Sequence, residues 1–287
     1  MAAMLDRLTP RLVRLTAVLA LSVAAEAAAQ SDVNPFDWGY APAFGSGVYR
    51  LGDGTETRVY RGAFAVRLRE TPTPEEGGPG VRLLLPVTVG IQNLDDDDLP
   101  PERPKDRAEH AAFLPGIELE FPAGERWTLR GRMQLGWGTE LQGLERTAWL
   151  GAAGVRSRLR FADAPGRPAW IAGMLWDGFD PEEGERRSLL RFTQGFEFEI
   201  DVPRWKFRGR PMRLLPHVLG DWYYRPPPAL AFGDEDFEQL ARESQIGLAA
   251  VRDGGFKIWF FRFDGVGIAY RFSEHSSGLR FYLNSVF

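Results

Sequence analysis

Three groups of residues carry side chains able to do chemistry. His275 and Ser277 stand two apart in the run His275-Ser276-Ser277-Gly278. On a strand, positions two apart project to one face, so the imidazole could in principle deprotonate the hydroxyl for attack on an ester. No acid that would orient the imidazole is evident in the sequence, and a polar loop tip is the preferred reading. Asp95, Asp96, Asp97 and Asp98 could hold a divalent cation through oxygen ligands. The run lacks the sixth-position glycine of a helix-loop-helix calcium site, so it reads as a solvated acidic loop with no metal expected. The third group is larger and more regular. Arg130, Arg132, Arg156, Arg158, Arg160 and Arg191, with Glu118, Glu120, Glu197, Glu199 and Asp201, recur at every second position of apolar-rich runs. Pointed into one shared interior, guanidinium and carboxylate groups would pair and satisfy one another.

The elements that must position these charges are strands. In 126–137, Trp127, Leu129, Met133, Leu135 and Trp137 fall on one face, and Thr128, Arg130, Arg132 and Gln134 on the other. That is period two, with aromatics bracketing aliphatics on the apolar side. In 189–201, Leu190, Phe192, Phe196, Phe198 and Ile200 oppose Arg191, Thr193, Glu197, Glu199 and Asp201. The runs 57–69, 116–121 and 155–161 repeat the pattern, and further strands are expected at 44–51, 81–93, 146–154 (continuing into 155–161), 169–177, 205–223, 241–252, 256–272 and 277–287. The count is about twelve, an even number as a closed antiparallel barrel of this type requires. Pro211 and Pro216 predict a bend or irregular stretch in 205–223, and the apolar phase of 256–272 flips near Asp264-Gly265, which predicts a bulge. His110 and His217 fall within strand-like runs and are expected to be lumenal or capping hydrogen-bonders.

The N-terminus specifies export. Arg7, Arg11 and Arg14 precede the apolar run Leu15–Ala25, and Ala27, Ala28 and Ala29 offer a small-residue cleavage site, so 1–29 reads as a signal peptide. A lead-in, 30–43, then precedes a barrel domain, 44–287. No later segment is apolar enough to span a bilayer as a helix, so membrane insertion would have to use a closed barrel. Turn signals favour that arrangement. Short ties are predicted at Pro122–Glu125, Ala162–Arg167, Val202-Pro203 and Asp253-Gly254, all on one side. Longer loops, 94–108, 139–145, 178–187, 224–240 and 273–276, fall on the other, while the long 70–80 tie and the short Asp53-Gly54 hairpin break the rule. A soluble β-sandwich would also alternate, but would not sort its connections in this way. Across the chain, 35 basic and 39 acidic residues leave a net charge of −4, which argues against nucleic-acid binding. The absence of cysteine removes disulfides and thiolate chemistry.

The last strand, Ser277–Phe287, places Leu279, Phe281, Leu283 and the terminal Phe287 on one face. A C-terminal aromatic preceded by alternating apolar residues resembles the signal read by the barrel-assembly machinery, which can capture an unfinished edge by strand addition. With an export signal and about twelve strands, the chain resembles the solitary outer-membrane autotransporter-like β-barrel family over residues 44–287. That resemblance implies a translocator-type barrel without a passenger, in the outer membrane of a Gram-negative bacterium after Sec-type export. It implies contact with outer-membrane lipid, and with periplasmic chaperones and the assembly machinery during biogenesis; no catalytic residue or cofactor comes with it. The His275/Ser277 spacing resembles that of outer-membrane phospholipases and lipid A deacylases, except that Gly278 stands where those enzymes have asparagine. The expected function is a non-enzymatic barrel with a structural or narrow-channel role. The alternatives are a small porin or transporter, and a lipid hydrolase using His275 and Ser277.

Overall fold

The computed structural model describes residues 45–51, 56–93, 107–142, 147–161, 166–182, 186–224, 242–258, 261–273 and 276–283. The expected signal peptide and lead-in, Asp95 to Asp98, His275 and Phe287 all lie outside these residues. Fourteen strands are present: β1 (Ser46–Leu51), β2 (Glu56–Arg69), β3 (Gly80–Asn93), β4 (Arg107–Phe113), β5 (Gly116–Pro122), β6 (Trp127–Gln142), β7 (Thr147–Arg160), β8 (Ala169–Pro181), β9 (Arg187–Glu197), β10 (Ile200–Phe207), β11 (Arg210–Tyr224), β12 (Arg242–Ile258), β13 (Phe261–Phe272) and β14 (Ser276–Leu283). All pairings are antiparallel. β4 and β5 together fill one place between β3 and β6, and β9 and β10 share another beside β11. The wall therefore has twelve staves, and β1 pairs with β14 to close it.

Register proves the closure and sets the geometry. From Trp127 on β6, paired residues run through Leu159, Trp170, Phe196, Val218, Ile246, Tyr270, Leu279, Val48, Arg58, Ile91 and Glu109, then reach Gln142, back on β6. The circuit climbs 15 residues (142 minus 127), one of which is the register shift between Glu109 and His110. A stagger of about 14 over twelve strands tilts them by roughly 40° and puts the backbone roughly 12 Å from the axis. Trp127 and Trp137 both face outward on β6. Ten residues at that tilt separate them by roughly 25 Å along the axis. Between and around them the outer surface is apolar: Met133, Leu135, Val155, Val218, Ile246, Val266, Ile268 and Phe281 are exposed. Phe121 and Phe161 stand level with Trp127, and Trp149, Tyr224 and Phe272 level with Trp137.

The two split staves break where the backbone cannot supply a bond or changes course. Pro115 lacks an N–H, yet its carbonyl accepts from Leu135 N at 3.0 Å, and Leu114 N donates to Pro86 O at 3.3 Å. The fourth stave thus extends from Arg107 to Pro122, well beyond the predicted 116–121. At the other split, Phe198 N donates to Pro216 O at 2.9 Å, so Pro216 stays inside an unbroken β11, and the irregularity falls on the facing stave, between β9 and β10.

Two predicted turns are strand instead. Val202-Pro203 lies within β10, and the chain reverses at Arg208-Gly209, with φ of 50° and 78°. Positive φ at both central residues suits a two-residue hairpin. Pro203 falls where the register shifts between Val202 and Lys206, so its missing N–H breaks no ladder bond. Asp253-Gly254 lies inside β12, where Val251 pairs with Gly265 and Phe256 with Phe263. Residues 252–255 therefore bulge opposite Asp264 alone, which is the irregularity expected near Asp264-Gly265, carried by the partner strand. The upper strands also run longer than predicted: β6 to Gln142 and β8 to Pro181.

Aromatic rings cover glycines on the inner wall. A Cβ on Gly267 would clash with the Tyr282 ring, and one on Gly90 with the His110 ring. Only glycine lets these rings lie flat against the opposite strand.

Candidate functional site

The interior is the candidate site, because the alternation that leaves apolar side chains outside brings the charges in. At the end bearing the short turns, two ion-pair clusters form. In one, Glu120 accepts from Arg130 at 2.6 Å, from Arg82 at 3.3 Å and from the Thr71 hydroxyl at 2.9 Å. Arg82 also bonds Asp264 at 2.8 Å and lies 3.5 Å from Glu118, while Arg67 lies 3.6 Å from Asp264. Asp264 belongs to β13 and the arginines to β2 and β3, so these pairs tie the wall across its first-to-last seam. The seam needs this, since β1 is short and begins at Ser46. There the Ser46 Oγ accepts from Arg61 N at 2.8 Å and donates to Arg61 O at 3.0 Å, standing in for a ladder pair. In the second cluster, Arg158 donates to Glu197 through Nε at 3.0 Å and Nη2 at 2.8 Å, and reaches Glu199 at 3.4 Å. Arg213 and Arg167 close on Glu199 at 2.5 Å and 3.0 Å, and Arg167 also pairs with Asp201.

Nearer the other end sits the most deeply buried cluster. Arg271, 1% exposed, donates to Asp221 at 3.2 Å, to the Tyr223 hydroxyl at 2.5 Å and to Glu243. Tyr223 donates to Glu243 at 2.5 Å, Ser276 donates to the same carboxylate at 3.2 Å, and the Thr193 hydroxyl donates to Asp221. Below it, His217 and Gln245 are 3.1 Å apart, and Arg280 donates to the Gln245 oxygen at 3.3 Å. Between the clusters lies a cavity of about 190 Å³, whose wall includes Arg61, Arg132, Arg156, Arg191 and Arg280.

Nine of the eleven charges singled out in the sequence face this interior. Arg130, Arg158, Glu118, Glu120, Glu197 and Glu199 join the turn-end clusters, and Arg132, Arg156 and Arg191 line the cavity. The other two sit at the rim. Arg160 is exposed and donates to Glu125 O at 2.5 Å, and Asp201 is exposed beside Arg167. The buried Arg271–Asp221–Glu243 cluster was not predicted. Its members come from β11, β12 and β13, in the proline-interrupted and less cleanly alternating runs, where only the even spacing of Asp221 and Tyr223, and of Glu243 and Gln245, marked an inward face. His110 and His217 are both buried inside, and His217 meets Leu215 O and Gln245. Leu279, Phe281 and Leu283 form the expected outward row on β14. Ser277 pairs with Arg50 and Phe272 in the wall, and its partner His275 lies outside the described residues.

No protein-family model matches the chain. No curated protein matches it either. Among solved structures, the translocator domain of autotransporter NalP from Neisseria meningitidis is similar, with 11% identity over 81% of this chain and 82% of that one, and a TM-score of 0.44. At that identity and score the likeness adds nothing to the reading of the lumen. The class is defined by the chain's own register: a closed, twelve-stave, antiparallel β-barrel with an apolar exterior and a charged interior.

Proposed function

We propose that this chain is an integral outer-membrane β-barrel of a Gram-negative envelope that serves as a braced structural barrel or narrow conduit. The observation that carries the reading is the inversion of polarity: exposed Trp127, Met133, Leu135 and Trp137 on β6 back onto inward Arg130, Arg132 and Gln134. A soluble protein would not turn that row to water, whereas a belt of roughly 25 Å between two aromatic levels matches a bilayer core. Ion pairs that bridge strands across the interior favour a braced lumen over a wide diffusion pore. Export by a Sec-type signal and capture by the assembly machinery fit residues 1–29 and the outward row of β14. We assign the barrel no catalytic step and no cofactor.

Purified protein should leave membranes only in detergent, and its gel mobility should shift on heating. In planar bilayers it should give no large steady current. Recovery as a soluble periplasmic protein would refute the membrane placement, and a large, steady ion-selective current would refute the braced lumen.

A further inference from the structure

In the membrane placement proposed above, the end bearing the short turns is periplasmic, and there the wall is uneven. Trp127 on β6 pairs through Leu159, Trp170 and Phe196 to Val218, four strand steps along the circuit. At about 1.2 residues of stagger per step, the level of Trp127 on β11 falls near Arg213. Pro122, where β5 ends, and Arg160, where β7 ends, lie at that level, so those staves stop at the edge of the apolar belt. The β10–β11 hairpin continues past it to the Phe207–Arg210 pair and reverses at Arg208-Gly209. Arg210 thus stands roughly 8 Å beyond the belt. A lipid headgroup layer beside the hydrocarbon core is about 5–8 Å deep, so the hairpin spans it.

The chemistry of the hairpin suits that depth. From Val202 to Met212 the sequence has four basic residues, Arg204, Lys206, Arg208 and Arg210, and no acidic one. All four are exposed, as are Trp205 and Phe207 among them. Arg252 shares the outward parity of exposed Ile246 and Leu248, and its guanidinium lies 5.8 Å from the Phe207 ring centre and 5.3 Å from that of Phe256. The two rings meet edge to face at 5.4 Å, so they gather on the lipid-facing side. Arg208 lies over Phe207 at 5.8 Å, and a guanidinium stacked on a ring keeps its N–H edge for oxygen. By contrast, the tie between β2 and β3 carries Glu70, Glu75 and Glu76. Aromatic rings settle at the membrane–water boundary, and a basic cluster beside them attracts anionic headgroups. We propose that the β10–β11 hairpin binds anionic phospholipid of the periplasmic leaflet, its phosphate held by Arg204, Lys206, Arg208 and Arg210 and the start of its acyl chains lying against Trp205 and Phe207. The inference rests on the membrane placement. A zwitterionic headgroup would bring an ammonium to the same cluster, and an acidic protein domain would match its charge but not its depth.

The test uses the full chain folded in neutral detergent and titrated with mixed micelles of phosphatidylglycerol brominated on its acyl chains, with phosphatidylcholine brominated likewise for comparison. The share of tryptophan quenching lost on Trp205→Phe, measured in each background, reports lipid at the hairpin. That share should saturate at a phosphatidylglycerol concentration at least about tenfold below the one phosphatidylcholine needs. In the triple variant Arg204→Gln, Lys206→Gln, Arg208→Gln, the preference should vanish. Should that variant fail to fold, Lys206→Gln alone should still weaken phosphatidylglycerol binding about fivefold. Equal response to the two lipids, or an unchanged preference in the folded variants, would overturn the proposal. So would displacement by inorganic phosphate at the lipid's own concentration, which marks a site for soluble phosphate, or tighter binding of polyaspartate, which marks a site for an acidic polypeptide. Those outcomes leave the membrane placement standing, whereas a parent that takes up neither lipid counts against both.

Discussion

Replacing Arg271 with leucine is expected to destabilise the barrel by about 3–5 kcal/mol, the cost of breaking a buried ion pair from one side. Arg271 is 1% exposed and serves two carboxylates and a phenol at once, Asp221, Glu243 and Tyr223. Arg271→Leu leaves Asp221 and Glu243 buried without the cation they share, and leucine offers them no donor. Most of the loss belongs to these stranded carboxylates rather than to the attraction itself. The triple change Arg271→Leu, Asp221→Asn, Glu243→Gln should therefore recover a large part of it. Urea unfolding of the barrel in lipid, followed by tryptophan fluorescence, measures both. If Arg271→Leu unfolds with the parent's midpoint, the cluster does not brace the barrel.

The second large effect lies on the other side of the wall. Met133 is 72% exposed, halfway between Trp127 and Trp137 on β6. Water around it would make Met133→Arg nearly neutral, as surface changes usually are within about 0.5 kcal/mol. Hydrocarbon around it makes an arginine at mid-depth cost about 2–4 kcal/mol. The expected result is a matching loss of folding free energy in bilayers, together with less barrel in the membrane fraction in cells. The same change at Leu141, at the rim end of β6, should cost far less, because the penalty for arginine falls to about 0–1 kcal/mol near the interface.

The barrel was legible in the sequence because its signal is local. Trp127 to Trp137 alternates cleanly, and so does Leu190 to Ile200, so strand type, inward face and the place of nine of the eleven chosen charges followed from period two alone. Turn residues misled where they serve another purpose. Pro203 and Asp253-Gly254 read as punctuation, yet each sits in a register shift where no regular pairing is required, and the strands continue through them. Partnership inside the lumen was not legible. Arg82 meets Asp264, 182 residues away, across the seam, and Arg271 meets Asp221 over an intervening strand. Such pairs depend on the stagger of about 14 residues around the circuit, which no single run of sequence contains. The cavity was hidden for the same reason. Arg132, Arg156, Arg61 and Arg280 come together only once four staves are placed at the right heights.

The absence of cysteine allows the central claim to be tested residue by residue. Single cysteines introduced from Trp127 to Trp137, each carrying a nitroxide, can be read for collision with oxygen, which concentrates in hydrocarbon, and with a water-soluble nickel chelate. Over the interior of the run, the expected result is oxygen access that peaks at Leu129, Gly131, Met133 and Leu135 and dips at Arg130, Arg132 and Gln134, with little chelate access at the peaks. Chelate access that rises at Met133 and Leu135 would place that face in water and contradict the barrel's insertion in a bilayer.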